Sequence, residues 1–501
     1  MIKVLTKLTL YLSLLLIGFL LGFSINKDYS DSPFKNINDV IKLIENHYVD
    51  SINLNTITNE MISSILTDLD PHSSYINSEK FKSIEEDMQG SFSGVGIQFN
   101  IINDSIVVVA PISGGPSEKL GIVSGDRIVN VDGENVTNIN INNEGVIKRL
   151  RGKKGTEVNI KIYRRLQEKL LDYNIIRDDI PLLSIDASMM VKKGIGYIKI
   201  NRFSATTIEE FNLSTKELLS KNMKKLILDL RGNPGGYLGM AIQMSDAILN
   251  KGNLIVYTEG RKRNRENIYA TQNGLLLNTE IVVLIDEGSA SASEIVSGAI
   301  QDNDRGLIIG RKSFGKGLVQ EQIEMKDGSV IRLTTQRYYT PSGRCIQTPY
   351  ETEQEEKQDT TKYKTRNGRI VYGGGGITPD IIIKRDSTLN FLQINLIISR
   401  GLLNEFCLKE SLNLKKTCQY KTEEQFINSN NENVFYHDFR NFILSKDKNL
   451  TKKIGEKELK FLKNLIKATI ARNIWGDETY FKILNQEDEF VKKALTYLEN
   501  N

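Results

Sequence analysis

Three hydroxyls in five residues, Ser289-Ala-Ser-Ala-Ser293, stand where the apolar run Ile281 to Ile285 ends in Asp286-Glu287-Gly288. The run reads as a short buried strand, and the small residues after the turn read as a helix entry. A hydroxyl at such a strand–turn–helix corner is exposed beside free backbone N–H groups, as an acyl-transfer nucleophile requires. Glu294 sits at the helix start, where the positive helix end favours a carboxylate. Twenty-five residues after Ser291 comes Lys316, between glycines in Phe314-Gly-Lys-Gly317. By itself the stretch is equally readable as a small-residue helix entry followed by a glycine turn.

A serine nucleophile needs a base. The three histidines are His47, His72 and His437, so none lies near this corner in sequence. His72 falls in a turn and reads as a turn or capping residue. Lys316 can take the serine proton only when neutral, so its pKa must fall by several units from about 10.4. Desolvation lowers it, and Phe314 and Leu318 could wall such a pocket. The growing negative charge would be held by the Ala292 N–H and by those of Gly235 or Gly236, in a second glycine turn, Arg231-Gly-Asn-Pro-Gly-Gly236. Gln320 could orient the lysine. In an ideal strand, however, residues 316 and 320 stand about 13 Å apart, so contact requires the Gly315/Gly317 segment to curl.

Both turns must follow neighbouring strands of one α/β core. Residues 180–385 supply that pattern: strand Gly196 to Ile200, helix Thr206 to Ser220, strand Lys225 to Leu230, helix Tyr237 to Leu249, then the Ile281 strand. Residues 329–340 read as one more strand and 350–369 as an exposed charged loop. Residues 34–89 are helical by periodicity, with Ile37, Val40, Ile41, Ile44 and Tyr48 on one face, and Leu69-Asp-Pro-His-Ser-Ser-Tyr75 breaking the pattern. Residues 386–501 return to helical periodicity, with a stripe of Leu459, Leu462, Ile466 and Ile470 that reads as a core face or an arm.

Residues 90–168 switch to short strands and glycine turns. Gly94-Val-Gly-Ile97 precedes a strand, a short helix falls near 116–120, and a Gly-Asp-Arg-Ile turn follows at 125–128. Successive N–H groups in such a loop suit a peptide's terminal carboxylate, and the adjoining open strand can accept the peptide as an extra strand. That order resembles a PDZ domain, with Gly94, Val95, Gly96 and Ile97 as its carboxylate loop and Gly145 to Leu150 as the helix lining its groove.

Composition bounds the rest. The 501 residues carry 66 Lys+Arg against 62 Asp+Glu, a net charge of +4 that gives no case for nucleic acid. Cys345, Cys407 and Cys418 are too few for a disulfide framework, although 407 and 418 could pair in an oxidising compartment. No Cys or His pair stands at metal-ligand spacing, and no cofactor is expected. Lys3 and Lys7 precede an apolar run from Leu8 to Phe23, so residues 1–25 are expected to be a signal peptide or membrane anchor. The absence of a small-residue cleavage site favours the uncleaved anchor, with the remainder outside the cytoplasmic face.

In order, Leu69-Asp-Pro-His-Ser-Ser-Tyr75, the PDZ-like region, Asp229-Leu-Arg-Gly-Asn-Pro-Gly-Gly236, Gly288-Ser-Ala-Ser-Ala-Ser-Glu294, Phe314-Gly-Lys-Gly-Leu-Val-Gln320 and Arg337-Tyr-Tyr-Thr-Pro-Ser-Gly-Arg344 resemble the carboxyl-terminal processing (tail-specific) proteases, a Ser-Lys peptidase family. The resemblance covers about residues 34–385. It implies an α/β peptidase core, a mixed sheet flanked by helices, with an inserted PDZ domain and helical terminal segments. It matches Ser291 to the nucleophile rather than Ser289 or Ser293, Lys316 to the base and Gln320 to its supporting residue. Asp302 matches an acidic position in some members but reads as structural, since a nearby carboxylate would raise the lysine pKa. Arg151, at the PDZ end, is a candidate for signalling to the core. The implied activity is exported, periplasmic or extracytoplasmic cleavage of proteins with apolar, free C-termini. Members are commonly dimeric through terminal helices, and delivery by an adaptor is left open. The rivals are a catalytically inactive tail-binding adaptor, which would need no Ser-Lys-Gln set, and an acyl-CoA enzyme, which would need no PDZ domain.

Overall fold

A computed structural model describes residues 34–164, 167–350, 361–386, 390–447, 450 and 454–500. The expected signal or anchor segment, 1–25, lies outside these. Among the described residues no helix is long and apolar enough to cross a membrane.

Two sheets position the site. The first has six strands whose spatial order follows the chain: Ile185–Lys192, Ile195–Ile200, Lys225–Asp229, Glu280–Ile285, Leu307–Gly310 and Ile381–Ile382. The first pair is antiparallel and the rest are parallel. Alternation along each strand sorts side chains to opposite faces. Leu226, Leu228, Ile281, Val283 and Ile285 pack with helices Thr207–Ser220, Leu238–Asp246 and Ala292–Asp302. Ile227, Val282, Leu284 and Ile309 point the other way, against Phe490, Val491, Ala494 and Leu498 of helix Glu489–Asn500. A mostly parallel sheet must be covered on both faces. The 386–501 segment therefore contributes helix Glu489–Asn500 to the peptidase core, and helix Asp477–Glu487 also reaches it at strand Ile185–Lys192 through Phe481.

The second sheet is antiparallel, in the order Ser74–Ile76, Val330–Tyr339, Leu254–Gly260, Arg263–Tyr269, with Leu318–Glu324 also beside Val330–Tyr339. It brings residues 74–76, expected only as a break between helices, onto the same sheet as the strand that follows Lys316. The helices around that break are Phe34–His47, Leu54–Thr67 and Ser78–Gln89. Ile37 and Val40 of the expected apolar stripe remain exposed.

Strands Ser91–Gly94 and Asp178–Pro181 pair as a two-stranded stalk. Between them lies a separate antiparallel sheet of Ile97–Ile101, Ile106–Pro111, Arg127–Val131, Glu134–Asn135, Glu157–Arg164 and Lys169–Ile176. It is completed by helices Pro116–Lys119 and Asn143–Leu150 around a core that includes Val95, Ile106, Val146 and Ile160.

The other C-terminal helices, from Leu392 to Glu487, enclose their own core of Phe406, Phe426, Phe439, Leu462, Ile466 and Ile470. The stripe is thus a core face, with only Leu459 half-buried. This bundle reaches the PDZ sheet, where Leu412 packs against Gly125. None of the three cysteines forms a disulfide. Cys407 lies inside helix Leu402–Thr417 and Cys418 is its exposed C-cap, so the rigid helix between them prevents the pairing allowed by sequence.

Candidate active site

The strand Glu280–Ile285 delivers the chain to Asp286, whose carboxylate accepts hydrogen bonds from Gly232 N–H (2.8 Å) and Gly288 N–H (3.0 Å). One acidic side chain thereby ties the two glycine turns together. Ser289 Oγ donates to the Leu230 carbonyl at 2.9 Å and Ser293 Oγ to the Asn233 carbonyl at 3.0 Å. The outer two serines are struts between the turns. Ser291 is in neither cross-link, and its backbone sits at φ 55°, ψ −111°, where a residue with a Cβ is strained. Such strain is held only because the surroundings over-determine it, and it lifts the side chain out of the turn.

Glu294 supplies much of that constraint. It is fully buried and accepts from Ser291 N–H (2.8 Å), Ser313 Oγ–H (2.5 Å), Gly315 N–H (2.7 Å) and Lys316 N–H (2.9 Å). Burial pushes its pKa up, against the pull of these four donors. Tyr338, also buried, adds a second link: its hydroxyl is 2.6 Å from the Lys316 carbonyl and 3.1 Å from that of Ser291. Carrying one proton, it serves one carbonyl at a time. Serine and lysine loops are therefore registered to one another through shared buried groups.

The glycine turn 231–236 closes on the same spot. A Cβ on Gly235 would stand 2.9 Å from both Ser291 Cβ and Ala292 N, and one on Gly236 would strike the Phe203 carbonyl at 2.1 Å. The Gly235 N–H is committed to Asn233 Oδ1 at 2.8 Å, which removes it from the expected pair of oxyanion donors. The N–H groups of Ala292 and Gly236 donate to no group among the described residues. Ala292 is buried, and a buried N–H left without a partner costs about 1–3 kcal/mol, so it favours an incoming anion; Gly236 is exposed and its N–H is open to one.

Lys316 Nζ donates to Gln320 Oε1 at 2.8 Å. The 13 Å separation of an ideal strand does not apply. Lys316 precedes the strand Leu318–Glu324, Gly315 is left-handed at φ 88°, and the pairing register shifts between Val319 and Gln320. Gln320 Nε2 donates in turn to the His72 carbonyl at 2.6 Å. A carbonyl only accepts, so this bond fixes the amide with its oxygen towards the lysine. Burial lowers the Lys316 pKa below 10.5, and the Arg332 charge lowers it further, against opposing pulls from Asp70 and Glu294. Burial and the nearby Lys316 charge likewise hold the His72 imidazole below its usual range. No hydrogen bond joins Ser291 Oγ to Lys316 Nζ, which donates to Gln320 instead.

Asp302 is turned away from this cluster. It forms a buried ion pair with Arg344 at 2.7 Å and accepts from Ser342 N–H and Oγ–H. In the PDZ region Val95 and Gly96 are buried, their carbonyls accept from Ser117 N–H and Ile112 N–H, and their own N–H groups have no partner among the described residues. Gly94 ends the stalk and Ile97 starts the adjoining strand. Arg151 meets Glu86 at 3.1 Å and lies 4.1 Å from the Phe92 ring centroid, so its contacts run to the helical segment and the stalk.

Tyr338, Asp70 and His72 stand in the motifs that carry the resemblance and Arg332 in the 329–340 strand, but the sequence assigns none of them a part in this site. Glu294 was legible only as a helix-start carboxylate, although Ser-x-x-Glu spacing is the signature of a capping box. The His72 contribution is a backbone carbonyl, which no residue type announces.

Comparison with known proteins places this arrangement. The profile of peptidase family S41 matches residues 194–356, that of the PDZ domain matches 93–175, and a family of unknown function (DUF8443) matches 394–476. The chain is a serine-type peptidase carrying a PDZ domain. It belongs to the carboxy-terminal processing proteases: it is 38% identical over 352 residues to the carboxy-terminal-processing protease of Bartonella bacilliformis, covering 69% of this chain and 74% of that one. It is also 35% identical over 317 residues to carboxy-terminal processing protease CtpA of Bacillus subtilis, covering 63% and 67%. Among solved structures, the photosystem II D1 C-terminal processing protease is 24% identical, covering 72% of this chain and 88% of that one at a TM-score of 0.39.

Proposed function

We propose that the chain is an exported endopeptidase that takes apolar, free C-terminal tails of proteins in its PDZ groove and cuts them with Ser291 and Lys316. The observation that carries this reading is the convergence of a strained serine, two unpartnered N–H groups and a desolvated lysine on one corner. Neutral Lys316 takes the Ser291 hydroxyl proton as Oγ bonds to the scissile carbonyl carbon. The carbonyl oxygen, now negative, lies against the Ala292 and Gly236 N–H groups. Collapse breaks the C–N bond, and the lysine ammonium gives its proton to the departing amine. Water then repeats the sequence on the acyl-enzyme, with lysine again as base. Gln320, holding one Nζ hydrogen, leaves the lone pair for serine. In the free enzyme that pair is unlinked, so substrate binding must bring the two together.

The PDZ assignment is supported by the unpartnered Val95 and Gly96 N–H groups and by Ile97, Val146 and Leu150 lining the apolar interior beside them. Export is supported by the composition of residues 1–25 alone. Turnover of a peptide ending in three apolar residues tests the mechanism. Ser291→Ala abolishes it, Lys316→Ala lowers it by about a hundredfold to ten-thousandfold, and both variants still bind the tail. Wild-type turnover in either variant would refute the Ser-Lys assignment.

A further inference from the structure

The turn that carries the Gly236 N–H is anchored from more than 250 positions further along the chain. Arg231 opens this turn. Its Nε and Nη2 donate to Asp229, with Nη2 at 2.6 Å, and its Nη1 donates to both carboxylate oxygens of Asp488, at 3.1 and 2.8 Å. The guanidinium carbon stands 4.6 Å from the Phe490 ring centroid. Asp229 is fully buried and also receives Tyr197 Oη–H at 2.7 Å and Lys199 Nζ at 3.3 Å. The same Lys199 Nζ reaches the Arg231 carbonyl. Two carboxylates and two cations thus balance around the first residue of the turn. Asp488 also accepts from Phe490 N–H and Val491 N–H, which makes it the N-cap of helix Glu489–Asn500.

An oxyanion donor is useful only where the charge develops, and a displacement of about 1 Å costs about a hundredfold. Asp229 engages one edge of the guanidinium through Nε and Nη2, and Asp488 holds the Nη1 that this pairing leaves over, so the side chain is fixed from both sides. We infer that Asp488 is a positioning residue for catalysis: through Arg231 it sets the direction of the Gly236 N–H. The inference rests on the reading of Gly236 as an oxyanion donor for Ser291. It gives a catalytic consequence to a helix that lies outside the S41 match at residues 194–356.

Asp488→Asn tests it in the full chain, because asparagine caps a helix as well as aspartate but brings no charge to Arg231. Expected is a fall in kcat of about ten- to a hundredfold with KM unchanged, and an equal loss of affinity for a peptide aldehyde whose hemiacetal oxygen occupies the oxyanion position. In an Arg231→Gln background, Asp488→Asn should cost nothing more. Wild-type kcat in Asp488→Asn, or a loss that persists undiminished in the Arg231→Gln background, overturns the inference. Ser291→Ala separates the two levels: activity surviving there overturns the serine-peptidase mechanism itself, whatever Asp488 does.

Discussion

Lys316 illustrates how far a single residue depends on groups that never touch substrate. Burial and Arg332 disfavour its ammonium, whereas Asp70 and Glu294 favour it. In the proposed mechanism the base works when neutral, so kcat/KM should rise with pH and level off below the ordinary lysine value of 10.5. Arg332→Gln removes a cation, raises the Lys316 pKa and moves that limb to higher pH; Asp70→Asn moves it lower. A pH–rate series on the three proteins checks both signs, and shifts in the same direction would rule out this account of the base. Gln320→Ala removes the hydrogen-bond acceptor of the Lys316 Nζ, and should cost about a hundredfold in kcat, the scale of a misplaced group. The proposed trio of Ser291, Lys316 and Gln320 could be named from the sequence only through the ordered set of motifs, since small-residue runs and glycine turns by themselves are common. Its supports could not be named. Glu294 and Tyr338 act by being buried between two loops, a property of packing that residue type and spacing do not carry.

At the level of elements, the two glycine turns work as one unit. Asp286, Ser289, Ser293 and Ala290 N–H all bridge from the serine turn to residues 230–233. Gly235→Ala would thrust a methyl within 3 Å of Ser291 and Ala292 from a backbone at φ 96°. That variant should lose at least a hundredfold in kcat and roughly 1–3 kcal/mol in stability, read from turnover and urea unfolding. The parallel strands Lys225–Asp229 and Glu280–Ile285 were readable because buried strands are continuous apolar runs. The antiparallel sheet was harder to see. Ser74–Ile76 is too short for any period to show, and the bulge between Val319 and Gln320 breaks the alternation that an ideal strand would keep. That bulge is what lets Gln320 reach Lys316, so the local irregularity and the local function have one origin.

Across the whole molecule, the core sheet is covered on one face by helices from residues 207–302 and on the other by a helix from the far C-terminal part, 489–500. Phe490, Val491 and Leu498 are each at most 5% exposed, and burying three such side chains contributes about 5–9 kcal/mol as an upper estimate. Removing residues 489–500 should therefore unfold the peptidase core, as judged by loss of a cooperative thermal transition. The isolated residues 91–181 should keep theirs, since their apolar core is self-contained. Inactivity of the truncated chain with an intact transition would contradict this packing account.

The late arrival of that helix also sets a clock. The sheet face bearing Ile227, Val282, Leu284 and Ile309 is made by residue 309, but its cover begins only at residue 489. At ordinary elongation rates the gap lasts on the order of ten seconds or more. Throughout that interval the nascent chain presents an open apolar sheet and no settled Arg231. On the role inferred for Asp488, a chain assembled in this order would gain its activity only after that cover had been synthesised.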